Sequence, residues 1–256
     1  MTKSVQYEVL TSKYHSNITH LNHEIVLMER TQIYSGQKIQ IDAYGDIWVM
    51  AFADIPANTL KIRNGSEYLN IQGPTGVFIG QFSLVEWKIL ATQISWKAIS
   101  SIQPLSEFWN EKTFLFPWNY EIPKNLHECS QLLESVSKTE ITIHKKPSSV
   151  ADKTKKFIDA HFDQNLQIHQ VAATFNYSWA VMSREFKKTF GLSPIAYRHR
   201  LRVFKAIKLL STGCDVTFAL TESGFASSSQ FYIHFKKTFA TSPQSYCIKK
   251  LMKSIV

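Results

Sequence analysis

The chain has 256 residues, of which 44% are hydrophobic and 13% aromatic, and it carries a formal net charge of +9 at pH 7. This composition supplies enough apolar surface for one large domain or two ordinary ones, and it excludes the disordered and fibrous classes. The three cysteines lack the paired short spacing of a metal site or a disulfide framework. No apolar run is long enough to span a bilayer and the N-terminus has no apolar signal core, so we expect a soluble, cytoplasmic protein without a membrane partner.

The first half of the chain has the pattern of short β-strands. Between about residues 24 and 99 apolar residues alternate with polar ones, the period of half-buried strands, for example at 38–41, 59–62, 85–89 and 94–98. Turn-forming residues separate these segments at 34–37, 54–58, 63–66 and 72–76. Many short strands at close spacing predict an antiparallel β barrel or sandwich. A short helix is predicted over 126–136, and 144–149 has the composition of a linker.

The strand-rich half offers few candidates for chemistry. Its only close pair of histidines is His20 and His23, followed by Glu24, whereas a metal-binding cupin needs His-x-His with a later Glu and His. Cys129 and Cys214 have no evident base partner. We therefore predict no metal, no cofactor and no catalytic residue, and no effector-binding residue can be assigned.

From about residue 150 the apolar spacing becomes helical. Helices are predicted at about 151–163, 168–175, 179–190, 194–211, 217–223, 228–239 and 243–252. Pro194 and Pro243 each follow a serine, the arrangement of an N-cap with proline at the first helical position. The charge changes here as well: from Val150 onward there are 16 Lys and Arg against 6 Asp and Glu, net +10, and before it 13 against 14, net −1. A concentrated positive charge of this kind predicts a polyanionic partner.

One phrase occurs twice in this basic half. The sequence FKKTFGLSP at 186–194 returns as FKKTFATSP at 235–243, and 235 − 186 = 49 positions separate the copies. Each copy ends a segment with a short helix, a tight turn and a longer helix. This is a helix-turn-helix, and its second helix is the element that fits the major groove of DNA. The two units are predicted at about 168–190 and 217–239.

Helical periodicity divides the two longer helices into faces. The apolar faces, which we expect to be buried, consist of Trp179, Met182, Phe186 and Phe190 in the first helix and Phe231, Phe235 and Phe239 in the second. The other faces carry the predicted base-contacting residues Ala180, Ser183, Arg184, Ser229, Gln230, Tyr232 and Ile233. Lysines at the same place in both copies, which we expect to contact phosphates, are Lys187, Lys188, Lys236 and Lys237.

Three of these side chains have a specific chemical argument. The fork of Arg184 suits O6 and N7 of guanine. Gln230 either closes a capping box with Ser227 or contacts an adenine. Ile233 is either covered by another part of the protein or meets a thymine methyl group.

Residues from about 150 to 250 resemble the DNA-binding domain of the AraC/XylS family of bacterial transcriptional regulators. The similarity covers about two-fifths of the chain, and its layout of two helix-turn-helix units joined by one long helix is highly specific. Three positions depart from the family pattern: Asn176 replaces a turn glycine, Ala219-Leu220 replaces Ile-Ala, and Ile233 replaces a polar residue. The matching motifs lie at 165–172, 177–178, 183–188, 191–194, 200–202, 206 with 209–210, 224–225, and 235–237 with 242–243.

The resemblance implies a function and a fold for the whole chain. It implies that the helix after Pro194 is a rigid spacer that places both recognition helices in successive major grooves of a promoter, and that RNA polymerase is recruited. It also implies that the first half is a cupin-like β barrel that binds a small effector or forms a homodimer. We accordingly expect an α+β protein with a regulatory domain at 1–120, a short helix and linker at 121–149, and an AraC-type DNA-binding domain at 150–256.

The expected function is sequence-specific regulation of transcription, as an activator and not as an enzyme. The expected partners are double-stranded DNA, RNA polymerase and a small-molecule effector. Two alternatives stay open at this point: the first half binds a protein partner and no ligand, or it is a metal-cupin enzyme fused to a DNA-binding domain.

Overall fold

The chain folds into a strand-rich unit and a helical unit. The structure, a computed structural model, describes residues 6–106, 109, 111–142 and 148–247. It divides into two compact units, Met1–Ile143 and His144–Val256. The described residues of the first unit form ten strands and one α-helix, and those of the second form helices. The predicted class of α+β in two parts is confirmed.

The strands of the first unit include all four segments predicted from alternation, 38–41, 59–62, 85–89 and 94–98. One helix, α1 (Leu126–Ser135), lies between the last two strands, and it confirms the helix predicted over 126–136. The strands are β1 (Gln6–Leu10), β2 (Tyr14–His20), β3 (Val26–Ile33), β4 (Lys38–Ala43), β5 (Trp48–Asn64), β6 (Glu67–Ile79), β7 (Leu84–Ile89), β8 (Gln93–Ser101), β9 (Thr113–Pro117) and β10 (Thr139–Glu140).

All strand pairs of the described residues are antiparallel. The pairing follows the order β1-β2-β3-β8-β5-β6-β9-β10, and β7 connects β4 to β5. Among the strands that the structure describes, β1 and β10 stand at the two ends of this path and do not pair with each other. The predicted barrel is thus an open antiparallel sheet, which ends in the two-residue strand β10.

The two longest strands contain residues that we had predicted to be turns. The segments 54–58 and 72–76 lie opposite each other within β5 and β6, where the register shifts between Ile55, paired with Gly73, and Leu60, paired with Ile71. Asn58 and Gly73 have left-handed φ values of 62° and 69°. The prediction of two chain reversals was wrong here, because these residues produce an irregularity inside a continuous strand pair.

Alternation along β5 divides the core of the first unit into two clusters. Trp48, Met50 and Phe52 belong to one cluster, which also contains the buried residues of α1, whereas Val49 and Ala53 pack against the other. Successive side chains of a strand point to opposite faces of the sheet. Both faces of the central strands are therefore covered by apolar side chains.

The helical unit agrees closely with the sequence pattern. The segment predicted as a helix over 243–252 is an exception, because its described part is the 3-10 helix Pro243–Tyr246. The N-cap residue of this 3-10 helix, Ser242, makes no side-chain capping bond. Residues 248–252 lie outside the described residues, as do 144–147 of the predicted linker. The α-helices of the described part of this unit are α2 (Ser149–His161), α3 (Ile168–Thr174), α4 (Trp179–Phe190), α5 (Pro194–Ser211), α6 (Val216–Glu222) and α7 (Ser228–Phe239).

Both copies of the repeated phrase end their helix with a left-handed residue. Gly191 follows α4 with a φ of 75°, and Ala240 follows α7 with a φ of 55°. In each case the N–H of the left-handed residue donates to the carbonyl oxygen four positions earlier, Lys187 or Lys236. Glycine adopts this conformation without strain, whereas alanine does not. The second copy therefore keeps the geometry of the first at a cost in stability.

Replacing Ala240 by glycine should stabilise the helical unit by about 1 kcal/mol. The left-handed conformation costs an L-residue about 1–2 kcal/mol, and the added freedom of glycine in the unfolded chain offsets roughly 0.5–1 kcal/mol of the gain. Gly191→Ala is the reciprocal control and should destabilise by a similar amount. Urea unfolding followed by circular dichroism measures both free energies. A destabilised Ala240→Gly protein would contradict the strain argument.

Candidate nucleic-acid interface

The helical unit contains two helix-turn-helix units of the same design. The first consists of α3 and α4, with Asn176 in the left-handed conformation at a φ of 59° in the turn. The second consists of α6 and α7, with Gly224 at a φ of 79°. Serines begin the longer helices: Ser178 Oγ accepts from the N–H of Val181, and Ser227 Oγ accepts from the N–H of Gln230, each at 3.3 Å. Asn176, which replaces a turn glycine of the family pattern, thus adopts the left-handed conformation that asparagine tolerates.

The apolar faces of α4 and α7 are buried as predicted. The buried residues are Met182, Phe186 and Phe190 in α4 and Phe231, Phe235 and Phe239 in α7. Trp179 is half-buried. Neighbouring rings within each helix pack closely, with centroids 4.7 Å apart for Phe186 and Phe190 and 5.1 Å apart for Phe235 and Phe239.

The repeat extends beyond the nine residues of the repeated phrase. Each copy continues to a tyrosine, since 246 − 197 = 49 as well. Tyr197 and Tyr246 are 0% and 1% exposed, and their rings pack against Phe186 at 5.6 Å and Phe235 at 5.8 Å. The extended repeat FKKTFxxSPxxY was visible in the sequence. Its tyrosines fix the segment after each recognition helix against that helix.

The faces opposite the buried stripes are open to solvent. Ser183 and Tyr232 are half-buried. The other predicted base-contacting residues are exposed, namely Ala180, Arg184, Ser229, Gln230 and Ile233. The four predicted phosphate-contacting lysines, Lys187, Lys188, Lys236 and Lys237, are also exposed, and they occupy the last turns of α4 and α7. The positive charge of a lysine in this position also interacts favourably with the negative end of the helix dipole.

The local contacts leave two of the candidates available for a ligand. Arg184 is 70% exposed in its side chain, and its Nε lies 3.6 Å from Oε1 of Glu185, an exposed pair of small energetic value. Ile233 is 64% exposed. Most of the Ile233 side chain is therefore open to solvent.

Two further candidates differ in how they are held. Among the hydrogen bonds of the described residues, Gln230 donates its backbone N–H to Ser227, and its side chain makes none back to Ser227. The reciprocal half of a capping box is therefore missing, and the Gln230 amide remains available. The Tyr232 hydroxyl, by contrast, accepts a hydrogen bond from Nε2 of Gln244 in the 3-10 helix.

A pair of stacked histidines joins α7 to the long helix α5. The rings of His199 and His234 lie 3.8 Å apart with an interplanar angle of 16°. Burial, together with the nearby His234, Arg202 and Arg198, lowers the pKa of His199 to about 3. Burial and Lys237 also lower the pKa of His234. Both imidazoles are therefore neutral near pH 7, which allows them to stack at this distance.

The candidate metal ligands of the strand-rich unit are His20, His23 and Glu24. The ring of His20 stacks on Tyr7 at 6.4 Å, while His23 is exposed and only 3.8 Å from Glu24. Among the described residues, no three His, Cys, Asp or Glu side chains are grouped as a metal ion would require. Burial raises the pKa of the Cys129 thiol to about 12, with a further contribution from Glu128. None of the described helices is long and apolar enough to cross a membrane.

Comparison with known proteins agrees with this geometry. A family described as a helix-turn-helix domain matches residues 171–247. The HTH-type transcriptional activator RhaS of Klebsiella pneumoniae (strain 342) is 34% identical over 89 residues, which are 34% of this chain and 32% of the relative. RhaS of Escherichia fergusonii is 28% identical over 167 residues, 65% of this chain and 55% of the relative. The chain thus spans about a third to about half the length of the relatives that it matches.

A solved structure extends the similarity of fold to the strand-rich unit. ToxT from Vibrio cholerae matches with a TM-score of 0.50 and 16% identity, over 87% of this chain and 98% of ToxT. The fold and the site define a helical domain with two helix-turn-helix units joined by one long helix. Residues 171–247 of this domain match the helix-turn-helix family, and the domain is similar in sequence to the activator RhaS. The relatives are described as transcriptional activators and not as enzymes.

Proposed function

We propose that the protein is a transcriptional regulator that binds promoter DNA with α4 and α7 in two adjacent major grooves. The observation that carries this proposal is the repetition of an exposed face on two helices of the same basic unit. Both faces begin at a serine N-cap, both end in two exposed lysines, and both are held by the same buried aromatic stripe. Exposed helices of this geometry match the width of the major groove.

Corresponding positions on the two faces have different chemistry. Because 233 − 184 = 49, Ile233 occupies in the second copy the place of Arg184 in the first. Arginine donates to guanine, whereas isoleucine offers only apolar contact, for which the methyl group of thymine is the partner in the groove. The lysine pairs, in contrast, coincide in the two copies. We infer that both helix-turn-helix units contact phosphates in the same way and that each recognises a different base sequence.

The first experiment is selection of genomic fragments by the purified full-length protein. The selected sites should contain two different blocks whose centres lie about one helical turn apart, roughly 10 base pairs. Placed upstream of a promoter, such a site should raise transcription by purified RNA polymerase, in keeping with an activator. A selected site with one block, or with two identical blocks, would contradict the proposal. Binding must be measured at several salt concentrations, because a unit of charge +10 holds any DNA at low salt.

The division between base and phosphate contacts predicts different effects of two neighbouring substitutions. Arg184→Ala should weaken binding to the selected site by about 1–3 kcal/mol and relax the base preference at one position of one block. Lys187→Ala should weaken binding to all sequences similarly and reduce the slope of affinity against salt. Fluorescence anisotropy on a panel of single-base variants separates the two results. The matched control is Ile233→Ala, which should relax a position in the other block only. Equal behaviour of Arg184→Ala and Lys187→Ala would contradict the division.

We propose further that the strand-rich unit controls DNA binding through a small molecule. The support is the order of the two units along the chain and the similarity in fold to ToxT, which covers both of them. The alternative is a strand-rich unit that docks another protein and takes no ligand.

Thermal unfolding in the presence of a metabolite library distinguishes these two functions. A ligand that binds only the folded state raises the transition temperature, by an amount that grows with its concentration. One chemical class of metabolite should therefore raise the transition of the full-length protein and change its affinity for the selected DNA. If no metabolite does so, and a protein partner captured by the strand-rich unit changes DNA affinity instead, the alternative is correct.

A further inference from the structure

The loop between α2 and α3 is held by three basic side chains of the long helix α5. Its residues 162–166 lie directly before the first helix-turn-helix unit. Arg202 donates from Nε to the carbonyl oxygen of Phe162 at 2.6 Å, and from a terminal nitrogen to that of Gln164 at 2.8 Å. The other two bonds run from Arg198 to the carbonyl oxygen of Leu166 and from Lys205 to the carboxylate of Asp163. The three basic residues recur at helical spacing on one side of α5.

The same loop also touches the second helix-turn-helix unit. A Cβ atom added to Gly224 would lie 1.9 Å from the carbonyl oxygen of Asp163, far inside contact distance. Gly224 lies in the turn between α6 and α7 and has a φ of 79°. The residue is therefore glycine for two reasons, the left-handed backbone and the close approach of the loop. We call this arrangement the loop clamp: residues 162–166, the three basic residues of α5, and Gly224.

Most of the interactions in the loop clamp are made by buried or backbone groups. Arg202 is only 4% exposed. Burial and the neighbouring Arg198, opposed by Asp163, lower the pKa of Arg202 to about 10. Its charge is held by carbonyl oxygens at and just beyond the C-terminal end of α2, where the helix dipole is negative. A buried charge that loses such partners is costly, and buried hydrogen bonds require a fixed geometry. The loop clamp is thus a rigid contact and not a solvated surface pair.

We propose that the loop clamp fixes the orientation of α7 relative to α4, and so sets the spacing between the two DNA blocks that the protein accepts. It connects the segment leading into the first helix-turn-helix unit with the turn of the second, in addition to the covalent connection through α5. Three of the sixteen basic residues after Val150 serve this purpose rather than phosphate binding. The part of this inference that concerns DNA rests on the proposed function.

A distance measurement on the DNA-free protein tests the orientation itself. Spin labels are placed at Lys188→Cys and Lys237→Cys, both exposed near the ends of α4 and α7, in a Cys214→Ser background. The distance distribution should be narrow in this parent and clearly broadened or shifted in Gly224→Ala. The matched control is Gly213→Ala: Gly213 also has a positive φ, 95°, but an added Cβ there meets nothing within 4 Å. Equal distributions in Gly224→Ala and Gly213→Ala, with both proteins folded by circular dichroism, would overturn the proposal.

If Gly224→Ala does not fold, the same distance measurement is made on Lys205→Met. It removes the ion pair to Asp163 and the contact of the ammonium with the Phe162 ring, whose centroid is 5.8 Å away, and the helix propensity is unchanged. Its distance distribution should broaden less than that of Gly224→Ala but more than that of Gly213→Ala. An unchanged distribution in a folded Lys205→Met protein would also count against the proposal.

Affinity for DNA of altered spacing tests the consequence. Two extra base pairs between the blocks move the second block by about 7 Å and rotate it by about 70°. This test uses proteins that retain Lys188, Cys214 and Lys237, and the parent is here the unsubstituted protein. The parent and Gly213→Ala should lose about 10-fold or more in affinity on this DNA, whereas Gly224→Ala should lose less than about 3-fold relative to its own affinity at the native spacing. A spacing penalty in Gly224→Ala equal to that of the parent would overturn the link to spacing. Changed distances without sequence-specific binding in the parent would instead count against the proposed function and leave the orientation result intact.

Discussion

Burial of the repeated aromatic side chains is the interaction on which the helical unit depends. Phe186 and Phe235 are fully buried at corresponding places, and each contacts the tyrosine that follows its own Ser-Pro pair. Full burial of one such side chain contributes about 1.5–3 kcal/mol, so a stripe of three anchors a helix of only twelve residues. Because one face of the helix is fixed in this way, the opposite face is presented in a fixed direction. The function proposed for that face follows from the packing beneath it.

The sequence allowed the helical unit to be predicted almost residue by residue, because its elements are marked locally. Ser193-Pro194 begins α5 as a capped helix, and Gly191 ends the helix before it. The strand-rich unit was less predictable for a physical reason. Turn-forming residues at 54–58 and 72–76 produce a register shift when two strands continue past them side by side. Whether such residues reverse the chain is decided by the partner strand, and a partner strand is not visible in a local pattern.

In the candidate site, too, features marked by a local pattern were predictable and contacts between distant residues were not. Helical periodicity predicted which residues of α4 and α7 are exposed, because burial of the phenylalanines determines the rest of the helix surface. The loop clamp could not be predicted, since Phe162 and Arg202 are 40 positions apart and each has an ordinary local context. In the sequence, Arg202 is one more positive charge in a basic segment. In the structure it is nearly fully buried and makes two hydrogen bonds to backbone carbonyl oxygens.

The positive charge of the helical unit therefore has two uses that composition alone does not separate. The loop before α3 is held by hydrogen bonds from Arg198, Arg202 and Lys205, whereas the lysines at the ends of α4 and α7 are exposed. In the function proposed above, the first group fixes the geometry of the helical unit and the second contacts phosphates. The two copies differ on the exposed face, as Arg184 and Ile233 do, and at one buried position, Met182 against Phe231. They also differ at Ala240, which keeps the left-handed geometry of Gly191 without glycine. A protein that must recognise two different base sequences at a fixed separation requires this combination of constant geometry and variable surface chemistry.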